Sequence, residues 1–180
     1  MNIDLTIQEL KEFDGGVVDT SSLIYLQRLF LLALTASRTK LYVLPQVCKE
    51  FFLPLPVAVR RLDVVAADTD NAVLIAAQTH GLAVISEDKY ILRQAKKTHI
   101  PHFNTLMLVL FLRFKNAINE QQYLESVEKL REFAHYGAPV FAFAESVFTT
   151  MKSHGELSAC FTGIVEKSEH HLHGSIERRK

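Results

Sequence analysis

Short apolar blocks bounded by turn residues alternate along this chain with longer segments of helical period. Ile7 to Phe13 predicts a short helix, after which an Asp14-Gly15-Gly16 turn leads into a strand at Val17-Val18. A helix from about Ser21 to Ala36 follows, then a second strand, Leu41 to Leu44, closed by Pro45. A short helix carrying Glu50 must end before Pro54-Leu55-Pro56, because a residue preceding proline is pushed out of the helical region. Val57 to Leu62 predicts one more helical turn, and Val64-Val65 a short extended run.

Asp68 and Thr69 supply capping oxygens for a mostly apolar helix (Ala72, Leu74, Ile75, Ala76, Gln78) that stops at His80-Gly81. Leu82 to Ile85 is the next strand, and Glu87 to Thr98 an amphipathic helix. Ile100 to Phe103 predicts a last strand leading into an apolar helix from Leu106 to Phe114. Alternation of strand and helix defines an α/β class. The last third reads as helix only. Glu120 to Tyr136 carries Leu124, Val127, Leu130 and Phe133 on one face, and Val140 to Lys152 carries Phe141, Ala144, Val147 and Phe148. These stripes are expected to be buried. From His154 the periodicity fades into a polar tail, and no internal repeat is visible.

Composition narrows the class. With 180 residues and 48% hydrophobic content, the chain is long enough for one buried domain, expected over 1–153 with a core at about 15–115, a helical extension at about 116–153 and a tail at 154–180. Its longest apolar stretches, Leu29 to Leu34 and Leu106 to Leu112, fall far short of the roughly 20 residues of a membrane span, so no membrane association is expected. The amino terminus lacks the basic start and apolar core of a signal peptide, which predicts a cytoplasmic protein. Cys48 and Cys160 are far apart and in unlike surroundings, giving neither a disulfide framework nor zinc spacing. Formal net charge is zero, so affinity for a polyanion must come from a local basic patch.

The candidate chemistry lies in four acids: Asp19 after Gly16-Val17-Val18, Glu50, Asp70, and Asp88 after Leu82 to Glu87. Asp19 and Asp88 end apolar runs that read as buried parallel strands, and open parallel sheets gather ligands outside the carboxyl ends of their strands. Each acid has a plainer role open to it. Asp19 would cap the helix beginning near Ser21, and Asp70 would complement a helix dipole, with Asp68 competing for its place. Glu50 would be a solvated surface charge, and Glu87 adjoins Asp88 closely enough to exchange roles with it.

The order of these acids resembles the PIN-domain family of metal-dependent ribonucleases. The matching segments are Val17-Val18-Asp19-Thr20-Ser21-Ser22, then Leu44-Pro45 running to Val47 and Glu50, then Asp70 to Ala77 with Gly81 behind it, then Val84-Ile85-Ser86-Glu87-Asp88-Lys89. They span about residues 15–115. The resemblance implies a three-layer α/β fold around a parallel sheet, here with a carboxyl-terminal helical extension. It also implies a divalent-metal-dependent endoribonuclease in which Asp19, Glu50, Asp70 and Asp88 bind Mg2+ or Mn2+, and in which the Ser86 hydroxyl orients an acid or a water. Such ions prefer carboxylate and water oxygens, and they supply both an activated water and charge neutralisation at phosphorus. Ser86 has the alternative of a strand-end hydroxyl bonded to backbone. Asn104, just after the last strand, is a further candidate for the same pocket.

Lys89, Arg93 and Lys96 share one face of the helix behind Asp88, with Lys97 beside them, and would hold the phosphates of an RNA substrate. An ordinary solvated face of an amphipathic helix fits the same spacing. Arg60-Arg61 and Arg113 to Lys115 are other basic candidates, and His170, His171 and His173 have metal-ligand residue types without partners. Many small PIN proteins are toxins of toxin-antitoxin pairs, so the resemblance admits an antitoxin or other protein partner, or a homo-oligomer. Residues 116–153 make this chain longer than the compact toxin type. Competing with the nuclease are a catalytically silent PIN-like module that binds RNA or a protein, and a phosphoacceptor domain, which would need an acidic pair after the first strand. Gly15-Gly16 lacks the rest of a nucleotide-binding fingerprint.

Overall fold

The structure, a computed structural model, describes residues 2–64 and 68–157. In chain order its elements are α1 (Ile3–Glu12), β1 (Gly15–Val18), α2 (Thr20–Arg28), α3 (Leu32–Arg38), β2 (Lys40–Val43), α4 (Pro45–Glu50) and β3 (Arg60–Arg61). They continue with α5 (Thr69–His80), β4 (Ala83–Ile85), α6 (Lys89–Lys97), β5 (His102–Phe103), α7 (Thr105–Phe114), α8 (Glu120–Phe133) and α9 (Ala138–Ser153). The five strands form one sheet in the order β3-β2-β1-β4-β5, and every pairing is parallel. Val17 pairs with Tyr42 on one side and with Val84 on the other, so β1 is the central strand.

This order has a direct consequence for where a ligand can sit. The chain leaves β1 toward β2 and β3, whereas it leaves β4 toward β5 in the opposite direction. Right-handed crossovers then send α2, α3 and α4 to one face of the sheet and α5 and α6 to the other. Packing agrees, since α5 lies on β1, β4 and α6, while α2 and α3 lie against α7. The arrangement is α/β and compatible with three layers. Beyond the carboxyl ends of β1 and β4 the two following helices diverge and open a crevice, the switch point at which open α/β sheets bind ligands.

The core runs from α1 through the sheet to the carboxyl-terminal helices. Phe13 meets Phe103 and Phe111 edge to face, each with ring centroids 4.9 Å apart. The helix α7, apolar nearly all round, has every residue from Thr105 to Arg113 buried, which requires cover on several sides. That cover includes α8 and α9, and α9 also packs on α1. Among the described residues no helix is long and apolar enough to cross a membrane.

Several expectations are corrected. Gly15 and Gly16 are strand residues, not a turn: a Cβ on Gly15 would stand 2.6 Å from the Lys40 carbonyl oxygen, and one on Gly16 2.8 Å from Ile85 Cδ1. The neighbouring strands press too close to β1 for a side chain. The segment 57–62 is not helical. Its Val59 amide closes a turn on the Pro56 carbonyl, and Arg60-Arg61 pairs with β2 as an edge strand; Val65 lies outside the described residues. On α8 the buried residues are Tyr123, Ser126 and Leu130, and Leu124 is about half exposed. The stripe is rotated because Tyr123 stacks on Phe148 at 4.6 Å. That helix also ends at Phe133, three residues earlier than expected. Arg113 is buried and bonded to Asn116, which removes it as a nucleic-acid contact. Within the stretch read as a polar tail, Leu157 is buried and Glu156 pairs with Lys11 at 2.8 Å. Cys160 and the three tail histidines lie outside the described residues.

The helix expected over 21–36 is two helices, α2 and α3, separated by Phe30 at φ 60°. Phe30 NH bonds Gln27 O and Leu31 NH bonds back to Leu26 O, the paired bonds of a left-handed helix stop. The stops after α6 and α7 repeat it, with His99 at φ 56° and Asn116 at φ 53° and bonds from Ile100 to Ala95 and from Ala117 to Leu112. A phenylalanine there carries no sequence signal. A left-handed L-residue costs about 1–2 kcal/mol, partly offset by the chain freedom that glycine adds to the unfolded state. Because Phe30 is 83% exposed, Phe30→Gly loses little burial. It is expected to raise stability by about 0.5–1 kcal/mol, measured as a higher urea midpoint at unchanged slope.

Candidate functional site

A cleft of about 380 Å³ opens at the switch point, lined by Asp19, Thr20, Ser21, Glu50, Asp68, Thr69, Asp70, Val73, Asp88 and Ile91. All four acids singled out in the sequence border it, and Asp68 joins them. Four separate elements deliver these side chains. Asp19 continues β1 through its amide bond to Ile85 O (3.0 Å), Asp88 follows β4, Glu50 ends α4, and Asp68 and Asp70 open α5. Among the described residues the lining holds five carboxylates, three hydroxyls and two aliphatic side chains, and no lysine, arginine or histidine. A second hollow of about 450 Å³ lies along one face of α9 and contains a single acid, Glu145.

The plainer roles are also filled, by the same carboxylates. Asp19 caps α2 through Ser22 NH (2.7 Å), Asp68 caps α5 through Asn71 NH (2.8 Å), and Asp88 caps α6 through Tyr90 NH (2.6 Å) and Ile91 NH (3.1 Å). A cap of this kind contributes about 1 kcal/mol. Each carboxylate has about four acceptor positions, so capping does not exhaust it. Glu50 accepts the Thr20 hydroxyl at 2.5 Å, which ties the end of α4 to the start of α2.

Asp19 is the buried member of the group. Its second oxygen accepts the Ser86 hydroxyl at 2.5 Å and the Glu87 amide at 3.3 Å. Ser86, fully buried, also accepts the Asp88 amide at 3.0 Å, so one hydroxyl links the two strand-end acids. Burial raises the Asp19 carboxyl above its ordinary range, against the opposing pull of the bonds from Ser86, Ser22 and Glu87. Asp70, exposed at the rim, is raised by partial loss of water and then by repulsion from Asp88, Asp68 and Glu50.

Other candidates take up different positions. Glu87 turns away from the cleft and accepts Ser22 Oγ (3.0 Å), Thr105 NH (2.8 Å), Thr105 Oγ1 (2.6 Å) and the Tyr136 hydroxyl. The ambiguity between Glu87 and Asp88 is thus resolved geometrically: Asp88 borders the cleft. Asn104 caps α7 through Met107 NH at 3.0 Å and is not part of the lining. Lys89, Arg93 and Lys96 are exposed along α6, whose first turn borders the cleft, and none makes an ion pair among the described residues. Sequence reasoning missed the lining hydroxyls of Thr20, Ser21 and Thr69. Their one signal was adjacency to an acid. Among the described residues no three His, Cys, Asp or Glu side chains stand close enough, as placed, to hold one ion. Compared with known proteins, the chain matches no family model and no curated sequence.

The raised carboxyls define a pH response. An acid whose folded pKa lies above its unfolded value destabilises the fold when ionised, and the penalty is relieved as pH falls through the folded pKa toward the unfolded one. In chelator, melting temperature is expected to rise as pH is lowered from neutrality toward the ordinary carboxylate range. Asp70→Asn should flatten that rise, since it removes one of the repelling charges. A calorimetric series across pH on both proteins checks this.

Proposed function

We propose that the protein is a divalent-metal-dependent nuclease that hydrolyses phosphodiester bonds, with RNA as substrate and the PIN-like cleft as its active site. The observation that carries this reading is the convergence of five carboxylates, without a cation among the lining residues, on the switch-point crevice of a parallel sheet. The donor set fits a hard ion of the magnesium or manganese type by residue chemistry, since carboxylate, hydroxyl and water oxygens are its preferred ligands. Asp19, Asp88, Asp70 and Glu50 would hold it. Asp70, raised by partial loss of water and then by the charges of Asp88, Asp68 and Glu50, is an acid whose repulsion a bound cation would relieve. When bound, the ion supplies a water of lowered pKa and neutralises charge at the reacting phosphate.

The chain's own residues have separable tasks in this reading. Ser86 holds the Asp19 carboxylate in one orientation through its hydroxyl, leaving that acid's remaining acceptor positions for the cleft. Asp70 and Glu50, both exposed at the rim, meet the substrate side. Lys89, Arg93 and Lys96 extend from the cleft along α6 and bind the phosphate backbone. A silent module that binds a protein is the second reading, favoured by the exposed apolar loop of Phe52, Leu53 and Val57 just after Glu50.

Two experiments decide between them. Manganese should raise the melting temperature of the wild type by mass action, and Asp19→Asn with Asp88→Asn should abolish that response. The wild type should also cleave single-stranded RNA with manganese and stop in chelator, whereas absence of both responses favours the silent module. Removing the stripe by Lys89→Ala, Arg93→Ala and Lys96→Ala should flatten the salt dependence of RNA affinity by about 2 in logarithmic slope. Affinity measured over a salt series tests it, and an unchanged slope means that α6 does not face nucleic acid.

A further inference from the structure

The Glu87 side chain belongs to none of the steps above, yet among the described residues it is the most heavily bonded carboxylate. Its donors come from three places far apart in sequence: Ser22 on α2, the Thr105 amide and hydroxyl at the start of α7, and Tyr136 in the connection between α8 and α9. All are neutral, and no ion pair to Glu87 is present among the described residues. A carboxylate largely removed from water is expensive unless its acceptor positions are filled, so each donor constrains where the residue sits.

Glu87 is also the middle residue of the turn that carries the site. Its own amide donates to Asp19 Oδ2 at 3.3 Å, and the next amide, that of Asp88, donates to Ser86 Oγ at 3.0 Å. One face of residues 86–88 is thereby fastened to Asp19, and the other, through the Glu87 side chain, to the carboxyl-terminal helices. Tyr136 is itself fixed by aromatic packing, with ring centroids 5.6 Å from Phe141 and 6.2 Å from Tyr25. Tyr25 packs edge to face on Phe133 at 5.2 Å and accepts the His135 amide at 3.4 Å, which anchors the same connection on α2.

We propose that Tyr136 is a positioning residue for the candidate active site: through its hydroxyl bond to Glu87, the α8–α9 connection sets the turn at 86–88 and thus the placement of Asp88 relative to Asp19. The proposal rests on the metal-dependent reading of the cleft, and it makes the carboxyl-terminal helical pair part of the catalytic apparatus and not an appendage. Tyr136 is not among the lining residues, and its hydroxyl reaches the site through the bond to Glu87. Tyr136→Phe keeps the ring and its packing and removes the hydroxyl alone.

The test uses the full chain with Tyr136→Phe, Glu87→Gln and the double variant, well below their melting temperatures. Manganese affinity is read from the electron paramagnetic resonance of the free ion, and exchange of the Glu87 and Asp88 amides is followed in chelator. Residues that orient metal ligands typically cost 10- to 100-fold in affinity when lost, so Tyr136→Phe is expected to weaken manganese by about 10-fold. It should also speed exchange at both amides. Because the two residues act as one unit, the double variant should bind no more weakly than Glu87→Gln alone. A lower melting temperature with wild-type manganese affinity and wild-type amide exchange would make Tyr136 merely structural and overturn the proposal. If the wild type binds no manganese, the metal reading fails, and exchange at the two amides decides the positioning role by itself.

Discussion

Burial of the Asp19 carboxylate at the end of the central strand is the constraint around which the rest of the site is arranged. Asp19 is 7% exposed and makes no ion pair among the described residues, so neutral donors must compensate for the water it has lost. Those donors are the Ser22 amide, the Ser86 hydroxyl and the Glu87 amide. One comes from the helix that follows β1 and two from the turn that follows β4, so satisfying this one side chain locks the two strand ends together. The crevice is the space left above that lock, where α2 and α6 depart in opposite directions.

Placing further acids around a carboxylate already short of solvent works against stability. Asp70 feels Asp88, Asp68 and Glu50, and Glu87 feels Asp19. A fold built for stability alone has no use for this crowding. In the proposed reading, a divalent ion bound in this oxygen-rich cleft would supply the missing positive charge. Conflict between local stability and arrangement is characteristic of functional sites, and it is the physical basis of the nuclease reading.

Glu87 distributes the same tension differently. Burial raises its carboxyl, and the bonds from Thr105 and Tyr136 oppose the rise; the Tyr136 hydroxyl is raised in turn by its own burial and by the adjacent carboxylate. Two neighbouring acids in one turn thus have opposite surroundings: Asp88 looks into the cleft, and Glu87 looks into a polar seam between the sheet and the carboxyl-terminal helices. The seam couples the acid cleft to α8 and α9, which also cover the apolar helix α7.

Much of this molecule is legible in its sequence because local physics decides it. Apolar runs at 17–18, 41–43 and 83–85 lie in strands, Asp19 and Asp68 cap helices, and Gly81 ends α5. Asp19 and Asp88 can be named because each follows an apolar strand run, whereas Glu50 and Asp70 are singled out by the resemblance in residue order. Other features depend on partners remote in sequence. Gly15 and Gly16 read as a turn until the neighbouring strands are seen to crowd them, and Phe30 reads as helix because its left-handed stop lacks a glycine. Leu124 was expected inside, but the stacking of Tyr123 on Phe148 rotates α8. Glu87 differs from Asp88 by one methylene, and nothing local separates their roles. Only the folded chain, which brings Tyr136 49 residues back to Glu87, decides which acid faces the cleft, because the energy of a buried charge is set by whichever donors the tertiary structure places around it.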